Sequence, residues 1–175
     1  GIYWHSTNDE QLIPLFKNYH LDKTNKCEEQ NIHLFHIFEN EWNDPIKQDI
    51  WKSMIANKLG LSKSIGARKC EVKEVSNEES KIFLNNNHLQ GQVGAKHKLG
   101  LYYNDELVSI MTMGVSRFNK NEMEILRFCN KKGYNIQGGF SKLLKHLNYN
   151  TFTSYANRRW STGNVYKNNN FILET

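Results

Sequence analysis

Gly138-Gly139 is followed at once by Phe140-Ser141-Lys142. Glycines at the start of a helix let the backbone approach a ligand closely, and the exposed N–H groups with the helix dipole favour a phosphate there. Ser141 and Lys142 would add a hydroxyl and a positive charge. The same pair also serves plain turn geometry. A second set is basic and aromatic: Arg127 in Leu126-Arg127-Phe128, and Arg158-Arg159-Trp160. Guanidinium groups pair with phosphate through two parallel hydrogen bonds, and an indole ring offers a face to a base. The competing use of these arginines is ion pairing with Glu122, Glu124 and Glu174 along a sheet edge. The third candidate is His88 in Asn87-His88-Leu89-Gln90-Gly91, because an imidazole titrates near neutral pH and can act as a general base.

These residues need elements to position them. Leu99 to Tyr103 and Leu107 to Met113 read as strands joined by a hairpin turn at Asn104-Asp105-Glu106. Lys69 to Val75 and Glu122 to Cys129 alternate as strands do. Asn77 caps a helix carrying Ile82, Phe83 and Leu84. The glycine pair opens a helix with Leu143, Leu144 and Leu147 on its apolar face. Thr151 to Tyr155 is a strand, Ser161 to Asn168 a short helix, and Phe171 to Leu173 a final strand. This order, β-α-β-β-β-α-β-α-β, predicts a mixed sheet with helices on its faces.

Residues 62–66 read as a linker, and the pattern before them differs. Gly1 to His5 reads as the end of a strand, and Ser6 caps a helix with Asp9 three residues on. A second helix is expected over about His20 to Gln30, then a buried strand over Ile32 to Phe38. Asp44-Pro45 opens a helix with Ile46, Ile50, Met54 and Ile55 on one face, ending at Gly60. The predicted division is 1–61 and 66–175.

The chain has 175 residues and a formal net charge of +5, which suits a polyanionic partner. No apolar run approaches the roughly 20 residues of a membrane-spanning helix. Cys27, Cys70 and Cys129 are far apart and form no CxxC pair, so reduced thiols are expected and no metal site is predicted. Oligomeric state stays open at this level.

The stretch from about Cys70 to Leu173 resembles the GNAT family, on the glycine loop at a helix start, the following strand, the short helix Ser161-Thr162-Gly163-Asn164-Val165-Tyr166-Lys167, and Phe171. It is most similar to the GNAT-like regions of phages, including the Mom type of DNA-modifying protein. The resemblance implies that Gly138, Gly139, Ser141 and Lys142 hold the pyrophosphate of acyl-CoA. It implies that Tyr166 is the general acid and that the loop of His88 meets the acceptor. Two departures stand out: the glycines are adjacent rather than spaced, and Asn157 stands where an Asp is usual and cannot act as a base.

Gly1-Ile2-Tyr3-Trp4-His5, Tyr19-His20-Leu21-Asp22 and Phe38-Glu39-Asn40-Glu41-Trp42 resemble the end of a very-short-patch-repair endonuclease domain, as found in phage homing endonucleases. His5 matches the histidine that assists the attacking water. The Mg²⁺-binding carboxylates of that PD-(D/E)XK class lie upstream of the matched region. Together the resemblances imply an α/β (α+β) fold: a mixed, GNAT-like β-sheet flanked by helices, preceded by a partial restriction-endonuclease-like strand-helix-strand-helix segment. They imply a fragment of a phage DNA-acting protein in the host cytoplasm, with an inactive nuclease part, DNA as partner and Mg²⁺ only in an intact nuclease. The alternatives are an acyl-CoA-dependent N-acyltransferase and a silent nucleic-acid-binding module.

Overall fold

The computed structural model describes residues 18–116, 118–120, 122–147, 149 and 151–174. The strand and helix expected before Asn18, with His5, lie outside them. The chain divides into two compact units: one runs from Pro45 to Tyr155, the other joins the residues before Pro45 to those after Tyr155.

In the larger unit, helix α3 (Pro45–Lys58) starts with proline at its first position, where no N–H is needed, and buries Ile50 and Trp51. Ile46, expected on that buried face, is 51% exposed. Strand β1 (Lys63–Gly66) follows, then a 3₁₀ turn (Ala67–Lys69) and β2 (Glu71–Glu74). Helix α4 (Asn77–Asn87) is capped by Ser76, whose hydroxyl accepts the N–H of Glu79 at 3.1 Å. The cap is therefore one residue earlier than expected. Strands β3 (His97–Tyr103) and β4 (Glu106–Val115) form the expected hairpin. Asn104 and Asp105 both take positive φ, 50° and 60°, as a tight hairpin turn demands. Then come β5 (Met123–Asn130), β6 (Tyr134–Gln137), α5 (Gly139–Lys145) and β7 (Phe152–Ser154).

The main sheet has the order β2-β3-β4-β5-β7, antiparallel up to β5 and parallel between β5 and β7. It is a mixed five-stranded sheet flanked by helices: α5 packs on β3 and β4, α4 on β5. Burial of Leu84, Leu101, Ile110, Met111, Met113 and Leu143 makes the core. The expected linker at 62–66 is instead β1, hydrogen-bonded in parallel to β6 with Ile65 opposite Ile136. Both isoleucines are buried, and so short an apolar signal between serine, lysine and glycine reads as linker until a partner strand is known.

The smaller unit contains α1 (Tyr19–Glu29), α2 (Glu39–Trp42) and α6 (Asn164–Lys167). Two expected strands do not form in it. Residues 32–38 are irregular, with Ile32 52% and Phe38 40% exposed, and their backbone meets the C-terminal stretch where the His36 N–H donates to the Arg159 carbonyl at 3.0 Å. Residues 171–173 are likewise irregular, with Ile172 89% and Leu173 81% exposed. A β-branched run becomes a strand only where a neighbour continues a ladder of backbone hydrogen bonds, and among the described residues neither run belongs to a sheet. No described helix is long and apolar enough to cross a membrane.

Candidate functional site

The larger unit has a cleft of about 400 Å³ between the loop after α4 and the middle strands, lined by Val93, Lys96, Gly114, Val115, Leu126 and Arg127 among others. Its origin is local. The register between β4 and β5 shifts between Thr112 and Met113, as in a β-bulge, which bends and re-aims the strand. Beyond the bulge, Gly114 lies against Leu126. A Cβ at 114 would stand 3.0 Å from the Leu126 side chain. Glycine is thus the residue that lets the cleft floor close up.

The loop is tied down on both sides. Lys96 N–H donates to the Met113 carbonyl at 2.7 Å, and Arg127 Nε donates to the Gly91 carbonyl at 3.2 Å. Arg127 Nη1 also donates to the Leu126 carbonyl at 2.7 Å. The guanidinium is therefore held by backbone oxygens of the cleft wall.

His88 terminates α4, its N–H donating to the Leu84 carbonyl at 2.9 Å. Its ring Nδ1 accepts the Gln90 N–H at 3.2 Å, so the neutral ring carries its proton on Nε2. Burial, helped by the Arg127 charge, pushes the His88 pKa down to about 4. A base this weak is poorly matched to proton abstraction at neutral pH. The ring at the end of α4 is thus fixed through Nδ1, with an Nε2–H donor. Burial also pushes the Cys129 thiol well above its usual range, against the opposing pull of Arg127, so it stays protonated.

The glycine loop has its expected backbone. Gly138 takes φ +75°, left-handed, and precedes α5. Gly139 is buried, and a Cβ there would meet Ile136 at 3.1 Å and Leu101 at 3.3 Å. Lys142 reaches back to donate to the carbonyls of Ala67 (3.0 Å) and Cys70 (2.5 Å), stitching α5 to the 3₁₀ turn. Gly139 is thus needed for helix-on-sheet packing, and the Lys142 ammonium is occupied by backbone oxygens. Ser141 is half-buried on the same short helix.

The basic cluster Arg158-Arg159-Trp160 lies in the smaller unit. Arg159 makes a bidentate pair with Glu41 (Nη1 to Oε2 3.0 Å, Nη2 to Oε1 2.9 Å), and its guanidinium carbon sits 4.5 Å from the Phe38 ring centre and 4.9 Å from that of Trp160. Arg158 pairs with Glu28 at 2.7 Å and also donates to Asn25 at 2.9 Å. Both arginines thus form ion pairs, but with glutamates of the N-terminal helices rather than Glu122, Glu124 or Glu174. Glu122 instead accepts from Asn119 (2.7 Å) and Thr153 (2.9 Å). Asn157 accepts the Arg159 N–H through Oδ1 at 3.0 Å and so organises this turn. Tyr166 follows the left-handed Gly163 and rests edge-on against Phe171, ring centres 5.5 Å apart.

The structure therefore brings His88 and Arg127 together and assigns Tyr166, Arg158, Arg159 and Trp160 to the other unit. Sequence reasoning missed Lys96, Gly114 and Val115, whose roles depend on a strand bulge that leaves no mark in composition. Among the described residues, no three of His, Cys, Asp and Glu gather as metal ligands. All three cysteines are free thiols.

Charge is unevenly divided. Pro45 to Tyr155 holds 17 Lys and Arg against nine Asp and Glu, a net of +8, while the remaining residues hold six against nine, a net of −3. Comparison with protein-family models, curated proteins and solved structures finds no match to this chain.

Proposed function

We propose that the chain is a DNA-acting protein whose larger unit is a GNAT-like domain that meets DNA through phosphate contacts around the Arg127 cleft. The observation that carries this reading is the charge division: the excess of eight positive charges belongs to the unit with the cleft. The mixed sheet flanked by helices supports the fold part at the level of class. The cofactor part has less support. Lys142 already donates to the carbonyls of Ala67 and Cys70, and the Cβ side of Gly139 faces Ile136 and Leu101. Phosphate contacts release counterions, so affinity for duplex DNA should fall with salt at a log–log slope of about −2 to −4. Changing Lys96 and Arg127 to Gln together should make that slope shallower by about two. Arg158→Ala with Arg159→Ala should leave it unchanged. A salt-independent affinity, or a slope that moves only with Arg158 and Arg159, overturns the reading.

A further inference from the structure

Two aromatic rings of the larger unit stand out in solvent. Phe118 is 79% and Tyr155 55% exposed, and their ring centres lie 5.8 Å apart in an edge-to-face pair. Single exposed aromatics are common; a preset exposed pair is less so. The backbone holds this pair out. Buried Ser116 accepts the N–H groups of Phe118 (3.3 Å) and Asn119 (3.4 Å) through Oγ, and its own N–H donates to the Glu122 carbonyl at 2.9 Å. The Glu122 carboxylate then bridges the loop to β7, accepting from Asn119 and from Thr153. One carboxylate therefore connects the loop bearing Phe118 to the strand preceding Tyr155.

The pair lies past the ends of the two strands that flank β5, which with β4 lines the cleft. Phe118 lies three residues after Val115, which lines it. Tyr155 follows Ser154, the register partner of Ile125, and Leu126 lines the cleft next to Arg127. Lys96, on the opposite rim, is exposed.

We infer that Phe118 and Tyr155 are a stacking platform for the bases of single-stranded DNA, whose phosphates meet Lys96 and Arg127 at the adjoining cleft. Any base has a face that stacks on an aromatic ring, but only an unpaired base exposes it. A net +8 on the unit favours a polyanion over an apolar or cationic partner. This deepens the DNA reading above and rests on it.

The test uses the whole chain and fluorescence anisotropy on two labelled probes, an oligothymidylate of about 15 nucleotides and a hairpin duplex. Phe118→Ala should weaken single-strand binding by about five-fold or more, with duplex binding changed by less than about two-fold. Tyr155→Ala should do the same, and Phe118→Trp should keep wild-type affinity. Both side chains are exposed, so matching melting temperatures will show that the variants fold. Equal losses on both probes, or no loss on either, overturns the platform. If the duplex binds with the expected salt slope while the alanine variants behave as wild type, only the platform falls. If wild type binds neither probe, the DNA reading falls and the platform with it.

Discussion

Arg159 and Arg127 each stand beside apolar surface, yet their surroundings differ in kind. Arg159 meets a carboxylate with ideal fork geometry and is sandwiched by Phe38 and Trp160, with its side chain 24% and that of Glu41 13% exposed. Its charge is neutralised where it sits. Arg127 is held by the neutral carbonyls of Gly91 and Leu126 on the wall of a cleft, and its field is felt by His88 and Cys129. These carbonyls fix the guanidinium through Nε and Nη1. The difference teaches that an arginine's sequence neighbours say little about its use. Arg158 and Arg159 form ion pairs with Glu28 and Glu41, while Arg127 lies on the cleft wall.

The largest effect that would sharpen this contrast is on acid stability. The His88 pKa is pushed down to about 4, below its usual value near 6.5, so the unfolded chain binds a proton in that interval that the folded chain refuses. Stability is then intact above pH 6.5 and is lost as pH falls toward 4, by at most about 3 kcal/mol. Urea midpoints at pH 7 and pH 4.5 should fall clearly further apart for wild type than for His88→Gln. Identical spacing for the two proteins would show that burial does not depress the pKa of this ring.

Next in size is the half-buried pair Arg159–Glu41 of the smaller unit. Arg159→Ala leaves Glu41 without its partner and removes the ring stacking, for an expected loss of about 2 kcal/mol in thermal or chemical denaturation. Glu41→Gln with Arg159→Met, which removes both charges, should recover part of it. A single variant as stable as wild type would show that this pair is no joint at all.

The smallest effect is expected at Arg158. With Arg158 50% and Glu28 43% exposed, their pair contributes within about 0.5 kcal/mol, and Arg158→Ala should unfold at nearly the wild-type denaturant midpoint. A loss comparable to that of Arg159→Ala would erase the distinction between the exposed and the half-buried pair.

Much of the larger unit is legible from residue pattern alone. The hairpin at Asn104-Asp105, the proline-started α3, the helix after Gly138 and strands β2 to β5 and β7 all follow from periodicities and turn residues that act over a few positions. Those signals are local, so a single sequence carries them. The short helix at Asn164–Lys167 is marked in the same way by Gly163. Strand β1, the irregular runs at 32–38 and 171–173 and the unit boundary after Tyr155 are different. Each depends on whether a distant segment arrives with free hydrogen-bonding edges.

The candidate site divides along the same line. Sequence alone determined that His88 is a titratable group near a helix end, that Arg127 is a charged group on a strand, and that Gly138 suits a left-handed turn, because residue chemistry and φ preference are intrinsic. Only the tertiary structure decided that Lys142 is spent on Ala67 and Cys70, that Arg158 and Arg159 meet Glu28 and Glu41, and that a bulge at Thr112 opens a cleft under Arg127. The physical reason is that a charge acts on whatever lies within a few ångströms of it. Here those neighbours lie up to about 130 residues away in the chain, where no spacing rule reaches.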